Sequence, residues 1–186
     1  MVYTWRNRTL RGLGFSLSVL NLGVGALNIA IPIIVLQRLH FSEAVVGIVI
    51  AVQGLTGIAS AFFFGRMDSR NRERRMMIVT MTGMRIVSAP LLLRSDLVSL
   101  MLVMALTGLL TGPLDIALFT LRQRRTDPGW MGRAFAISMS FDALGQPIAS
   151  AIAGYMAAQS IDATIAFGVL FGVISGAVAA AMIPSS

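Results

Sequence analysis

The chain has 186 residues, 56% of them hydrophobic and only 12% charged, with a mean hydropathy of +0.80 and a formal charge of +7. A soluble domain carries about 25% charged residues, so this chain has too little polar surface to cover a globule in water and reads as an integral membrane protein. It has no cysteine, which excludes disulfides, thiolate metal sites and cysteine nucleophiles, and its basic residues, all Arg, sit in short clusters between apolar runs rather than along a nucleic-acid-binding stripe.

A helix that crosses a bilayer needs roughly 20 mostly apolar residues. Six runs qualify: 12–36, 44–65, 76–93, 97–121, 134–158 and 164–183. None shows the short alternating segments of a membrane barrel. The expected fold is therefore an all-α membrane protein, with residues 1–186 forming one six-helix transmembrane bundle.

The first run follows Arg6, Arg8 and Arg11 and is too long for a cleavable signal core. It carries Asn21 and Asn28, seven residues apart and so on one helix face, and Pro32 near its far end. His40 falls in the short loop that follows and reads as solvated. Gln53 is a polar group inside the second run; amides in such places commonly bridge helices. Arg85 interrupts the third. The fourth holds Thr111-Gly112-Pro113-Leu114-Asp115, and the fifth holds Asp142 and Gly145-Gln146-Pro147. A proline removes a backbone hydrogen bond and bends a helix, so Pro113, Gly145 and Pro147 are expected to shape their helices. In the sixth, Gly168, Gly172 and Gly176 form a ridge against which another helix can approach closely.

The connections alternate in charge. Arg6, Arg8 and Arg11 precede the first run, Arg66, Arg70, Arg72, Arg74 and Arg75 follow the second, and Arg122, Arg124, Arg125 and Arg133 follow the fourth. The other connections hold only Arg38 and Arg94. Cytoplasmic loops accumulate Arg, which places both termini in the cytoplasm and the protein in the cell (plasma) membrane.

Charges inside a span cost several kcal/mol unless paired or wet. At about 1.5 Å per residue, Arg85, Asp115 and Asp142 lie at similar depth on the cytoplasmic side of the midplane. They either form a structural ion pair or, with Asn21 and Asn28, line a substrate and proton pathway.

Gly65-Arg66-Met67-Asp68-Ser69-Arg70-Asn71-Arg72-Glu73-Arg74-Arg75 resembles the signature loop of the major facilitator superfamily, with Asn71 or Arg72 where that loop usually has glycine. Trp5-Arg6-Asn7-Arg8-Thr9-Leu10-Arg11, ahead of a span ending at Pro32, is similar to the start of the second half of efflux-type members. Pro128-Gly129-Trp130-Met131-Gly132-Arg133-Ala134-Phe135, followed by Gly145-Gln146-Pro147 and Gly154, resembles their helix five or eleven. The resemblance implies one six-helix half, of the C-terminal type, built from two inverted three-helix repeats. It implies a latch of Asp68 with Arg70, Arg74 and Arg75, in which one of these arginines reaches Asp115, and a cavity lined by helices one and four. It further implies proton-coupled export of small organic or drug-like compounds, no catalysis, and neither cofactor nor metal. The expected partners are the lipid bilayer, a small-molecule substrate, protons, and a second half or a second copy. The alternative is a self-contained six-helix binding or scaffold module, or the substrate-capturing subunit of a larger transporter.

Overall fold

The computed structural model describes residues 7–66 and 69–184. Trp5, Arg6 and the latch aspartate Asp68 lie outside the described residues. The described residues form six long helices: α1 Arg8–Ile33, α2 Glu43–Phe64, α3 Glu73–Ser88, α4 Leu97–Arg124, α5 Met131–Gln159 and α6 Ile161–Met182. No strand occurs among the described residues.

Helix ends follow local chemistry. The Asn7 side chain accepts from the N–H groups of Thr9 and Leu10 and so caps α1. Asp96 caps α4 through Ser99 N–H at 2.8 Å, and this bond holds its carboxyl below the usual carboxylate range. Ser160 does the same for α6 through Ala163 N–H at 3.1 Å. Pro32 does not end α1; the helix runs one residue further and then loosens into a π-type turn at Ile34–Arg38, where Leu39 N–H reaches Ile34 C=O. α3 stops at Ser88 and tightens into a 3₁₀ turn at Ala89–Leu92 that contains Pro90. Asn71 adopts φ +63°, the left-handed conformation that glycine favours and asparagine tolerates.

By length and apolarity four helical stretches can cross a bilayer: Arg8–Arg38, Glu43–Phe64, Leu97–Arg124 and Ile161–Met182. α3 and α5 fall below that standard. α3 has 16 residues and carries Arg74, Arg75 and Arg85; α5 has 29 but is interrupted by Ser138, Ser140, Asp142 and Gln146. Two polar side chains of α1 bond to backbone carbonyls of α5. Ser18 Oγ donates to Phe141 C=O at 2.7 Å, and Asn21 Nδ2 donates to Asp142 C=O at 2.6 Å.

Packing is arranged in pairs: α1 lies against α5 and α6, α4 against α2 and α3, and α3 against α6. Glycine sets the closest approaches. A methyl group at Gly145 would strike the Ser18 carbonyl of α1, and one at Gly25 would come within 2.6 Å of Gln146 C=O. Gly168 faces Leu27 of α1, whereas Gly172 and Gly176 face Arg85 and Thr82 of α3. The glycine ridge of α6 therefore serves two neighbours.

Pro113 leaves α4 continuous, and the cost is met across the helix pair. Lacking an N–H, it leaves Leu109 C=O without its usual donor, and Ser60 Oγ of α2 donates to that carbonyl at 2.5 Å. Gly112, whose Cβ would lie 2.7 Å from Ala61 N, lets α2 come this near. Ser60→Ala should destabilise the α2–α4 pair by about 0.6–1.7 kcal/mol, read by detergent-titrated unfolding. Pro113→Ala would restore an intrahelical donor and make Ser60→Ala nearly silent.

The arginine clusters gather at one end of the bundle. Asn7 Nδ2 donates to Arg125 C=O at 2.7 Å, and Arg124 pairs with Glu73 at 2.6 Å. Arg74 donates from Nε to Ile183 C=O and from Nη2 to Ala180 C=O, both at 2.7 Å, which caps α6. At the other end Arg38 pairs with Asp162 at 2.8 Å and donates to Ser95 Oγ at 3.2 Å. Among the described residues, 28 large hydrophobic side chains are exposed, including Leu55, Ile58 and Phe63 of α2. Such a surface suits lipid, not water.

Candidate functional site

A cavity of about 480 Å³ opens among α1, α2, α3, α4 and α5. That size lies within the range of small-molecule sites, roughly 300–1,000 Å³. Its wall is mostly Leu, Met, Val and Ile, from Leu17, Leu20 and Leu27 of α1 to Met84 of α3 and Met104 and Leu114 of α4. Into this wall project Asn21, Asn28, Gln53, Arg85, Asp115, Arg122, Asp142 and Gln146. All five residues read from the sequence as a pathway (Asn21, Asn28, Arg85, Asp115 and Asp142) are thus brought together.

The pairing within the cavity differs from the simplest expectation. Asp142 makes its ion pair with Arg122, the side chain of which is 1% exposed, and not with Arg85 or Asp115. Arg122 also lies beneath the Phe135 ring, 6.0 Å from its centroid. By position Arg122 belongs to the basic cluster after the fourth run. It is nonetheless the last turn of α4 that carries it inward, toward the acid on α5. The clue available in the sequence was its spacing: Asp115, Leu118, Phe119 and Arg122 recur at three- and four-residue intervals along one helix face.

Asp115 lines the cavity as an exposed side chain on α4, and takes no hydrogen bond or ion pair from any described residue. Of the arginines expected near it, Arg74 is engaged with the C-terminus of α6, and Arg75 lines a shallow surface pocket with Arg72, Met76 and Val79. Among the described residues, neither Arg74 nor Arg75 pairs with Asp115. Gly145 and Pro147 lie within α5; Gly145 sets the approach to α1, and the helix stays continuous through Pro147.

Unmet hydrogen-bonding capacity concentrates here. Among the described residues, six buried side-chain polar atoms lack a partner, and four of them belong to cavity residues: Arg85 Nε, Thr107 Oγ1, Arg122 Nε and Asp142 Oδ1. Buried polar atoms are ordinarily satisfied. These four atoms come from α3, α4 and α5, and all belong to residues of this one cavity.

Helices one and four both line this cavity, the basic loop joins α2 to α3, and residues 13–186 match the family described as Major Facilitator Superfamily. The chain belongs to that superfamily. It is 35% identical over 160 residues to an uncharacterized MFS-type transporter, y4rN, of Sinorhizobium fredii (strain NBRC 101917 / NGR234). That match covers 85% of this chain and 40% of the relative, so the chain spans well under half of that protein's length. Membership of this superfamily makes the chain a membrane-embedded protein of a transporter family.

Proposed function

We propose that this chain is one six-helix half of a secondary active transporter, of the C-terminal type, which exports small organic compounds across the plasma membrane by alternating access. The observation that carries the reading is the cavity, an apolar wall with four unmet polar atoms and two acids. α3 and α5 complete six spans in this reading. Arg74 and Arg85 of α3 lie against α6, and Asp142 of α5 pairs with Arg122 of α4. The inverted-repeat arrangement is supported by the packing, since exchanging α1–α3 with α4–α6 turns α1·α5 into α4·α2 and α1·α6 into α4·α3.

Both termini are placed in the cytoplasm on the charge asymmetry and on the meeting of the arginine-rich segments at one end. Single cysteines at Arg72 and Arg124 should then be shielded from an impermeant thiol reagent in intact cells, and those at Ser95 and Ser160 should react. Labelling at position 72 from outside would overturn this orientation.

Proton coupling is assigned to Asp115, a carboxylate that reaches the cavity and holds no cation. In proteoliposomes, Asp115→Asn should abolish proton movement coupled to solute, read with a pH-sensitive dye, while solute exchange persists. Unchanged proton movement would remove Asp115 from the pathway. Asp115 and Asn28 are exposed on the isolated bundle, and a carboxylate facing hydrocarbon costs about 2.5–3.5 kcal/mol on insertion scales. A second half, or a second copy of this chain, is the cover that this surface requires. The solubilised chain should therefore be dimeric or poorly stable, and Asp115→Leu should relieve the instability. A monodisperse monomer indifferent to Asp115→Leu would favour a self-contained six-helix module.

A further inference from the structure

Arg85 stands in the last turn of α3 and is 2% exposed, yet no described residue accepts a hydrogen bond from it or forms an ion pair with it. A guanidinium does not deprotonate in proteins, and a buried, unpaired charge is among the costliest features a fold can carry. The acids nearest in the cavity wall do not relieve it. Asp142 is held by Arg122, and Asp115, an exposed side chain on α4, pairs with no described residue. The placement of Arg85 is enforced. Its stem crosses α6 at Gly172, where any Cβ would collide with Arg85 Cγ and Cδ, and its residue reaches the cavity wall beside Met84 and Ser88. Thr107, across the cavity on α4, adds a buried hydroxyl without a partner.

We propose that the cavity recognises a small organic anion with an apolar body, whose carboxylate is bound by Arg85. This deepens, and rests on, the reading of the cavity as a substrate pathway. The contrast in burial between Arg85 and Asp115 decides the sign: the buried cavity group without a described partner is the cation, so the missing counter-charge is negative. Two parallel N–H···O bonds from a guanidinium match a carboxylate, the Thr107 hydroxyl can donate to a second lone pair of one of these oxygens, and the Leu and Met side chains take the hydrocarbon. The Arg122–Asp142 pair stays closed and contributes no free charge.

The test uses the full chain in lipid nanodiscs with a single cysteine at Thr111, a cavity position, and reads protection of that thiol from an impermeant reagent. Three compounds of one shape serve as ligands: 4-phenylbutyrate, 4-phenylbutanamide and 4-phenylbutylamine. The carboxylate should protect at a concentration about tenfold or more below that of the amide, a gap equal to about 1.4 kcal/mol, and the amine should be weakest. Arg85→Lys should narrow the preference, and Arg85→Met should abolish it while the amide still protects. The thermal midpoint of Arg85→Met should not fall, because the variant removes a buried unpaired charge. Equal or stronger protection by the amide or the amine in the unsubstituted chain would overturn the proposal and leave the pathway standing, as would a preference that survives in Arg85→Met. If the thiol resists the reagent with no compound present, the pathway reading itself fails and the anion site with it.

Discussion

Asp142→Leu is expected to destabilise the bundle by about 3–5 kcal/mol, the usual result of stripping one partner from a buried ion pair. The loss arises because Arg122, with its side chain 1% exposed, would be left as a second uncompensated cation beside Arg85. Removing Arg122 as well should recover most of that loss, since a well-packed apolar pair often equals a buried ionic one. Unfolding titrated with a denaturing detergent would give both values. If the double variant Arg122→Leu/Asp142→Leu is as unstable as Asp142→Leu alone, the pair is not what holds α4 to α5.

Gly145→Val should be at least as damaging, because α5 has no room to retreat from α1. Its Cβ would meet the carbonyl of Ser18 and come within 3.1 Å of Asn21 Cβ, and both belong to a helix that is itself clamped against α6. Overpacking costs about 1–3 kcal/mol when side chains can move aside and more when backbone must move. The same variant should break two interhelical bonds, Ser18 Oγ to Phe141 C=O and Asn21 Nδ2 to Asp142 C=O. Gly154→Val, in the same helix with nothing within 4 Å of its Cβ, is the control and should be near neutral. Comparable losses at the two glycines would mean that α5 does not lie on α1 as described.

The sequence made the helices legible because apolar runs and arginine clusters are one-dimensional signals. Runs 44–65, 97–121 and 164–183 match α2, α4 and α6 to within about one helical turn at each end. Asn21 and Asn28 were readable as a pair because seven residues are close to two turns. What one dimension cannot carry is the rotation of one helix relative to another. Depth alone made Arg85, Asp115 and Asp142 equivalent, and only the packing of α4 on α3 and α1 on α5 separates the paired acid from the unpaired cation. Arg74 shows the same limit: its place beside the signature loop suggested Asp115, while the open carbonyls at the end of α6 lie nearer. The Ser60–Leu109 bond was equally hidden. A proline announces a missing donor but not which neighbour supplies the replacement.

The absence of cysteine makes the central claim directly measurable, since each introduced thiol is the only one in the chain. Single cysteines at Asn21, Asn28, Gln53 and Thr111 should react with a small hydrophilic thiol reagent in membranes, because these positions line a wet cavity. Cysteines at Leu55, Ile58 and Leu102, exposed on the apolar outside of the bundle, should stay unreactive in lipid. Reaction at the first set and silence at the second is the result expected of a polar pathway inside a membrane-embedded bundle. Silence at the cavity positions, with or without reaction at the outer ones, would contradict it.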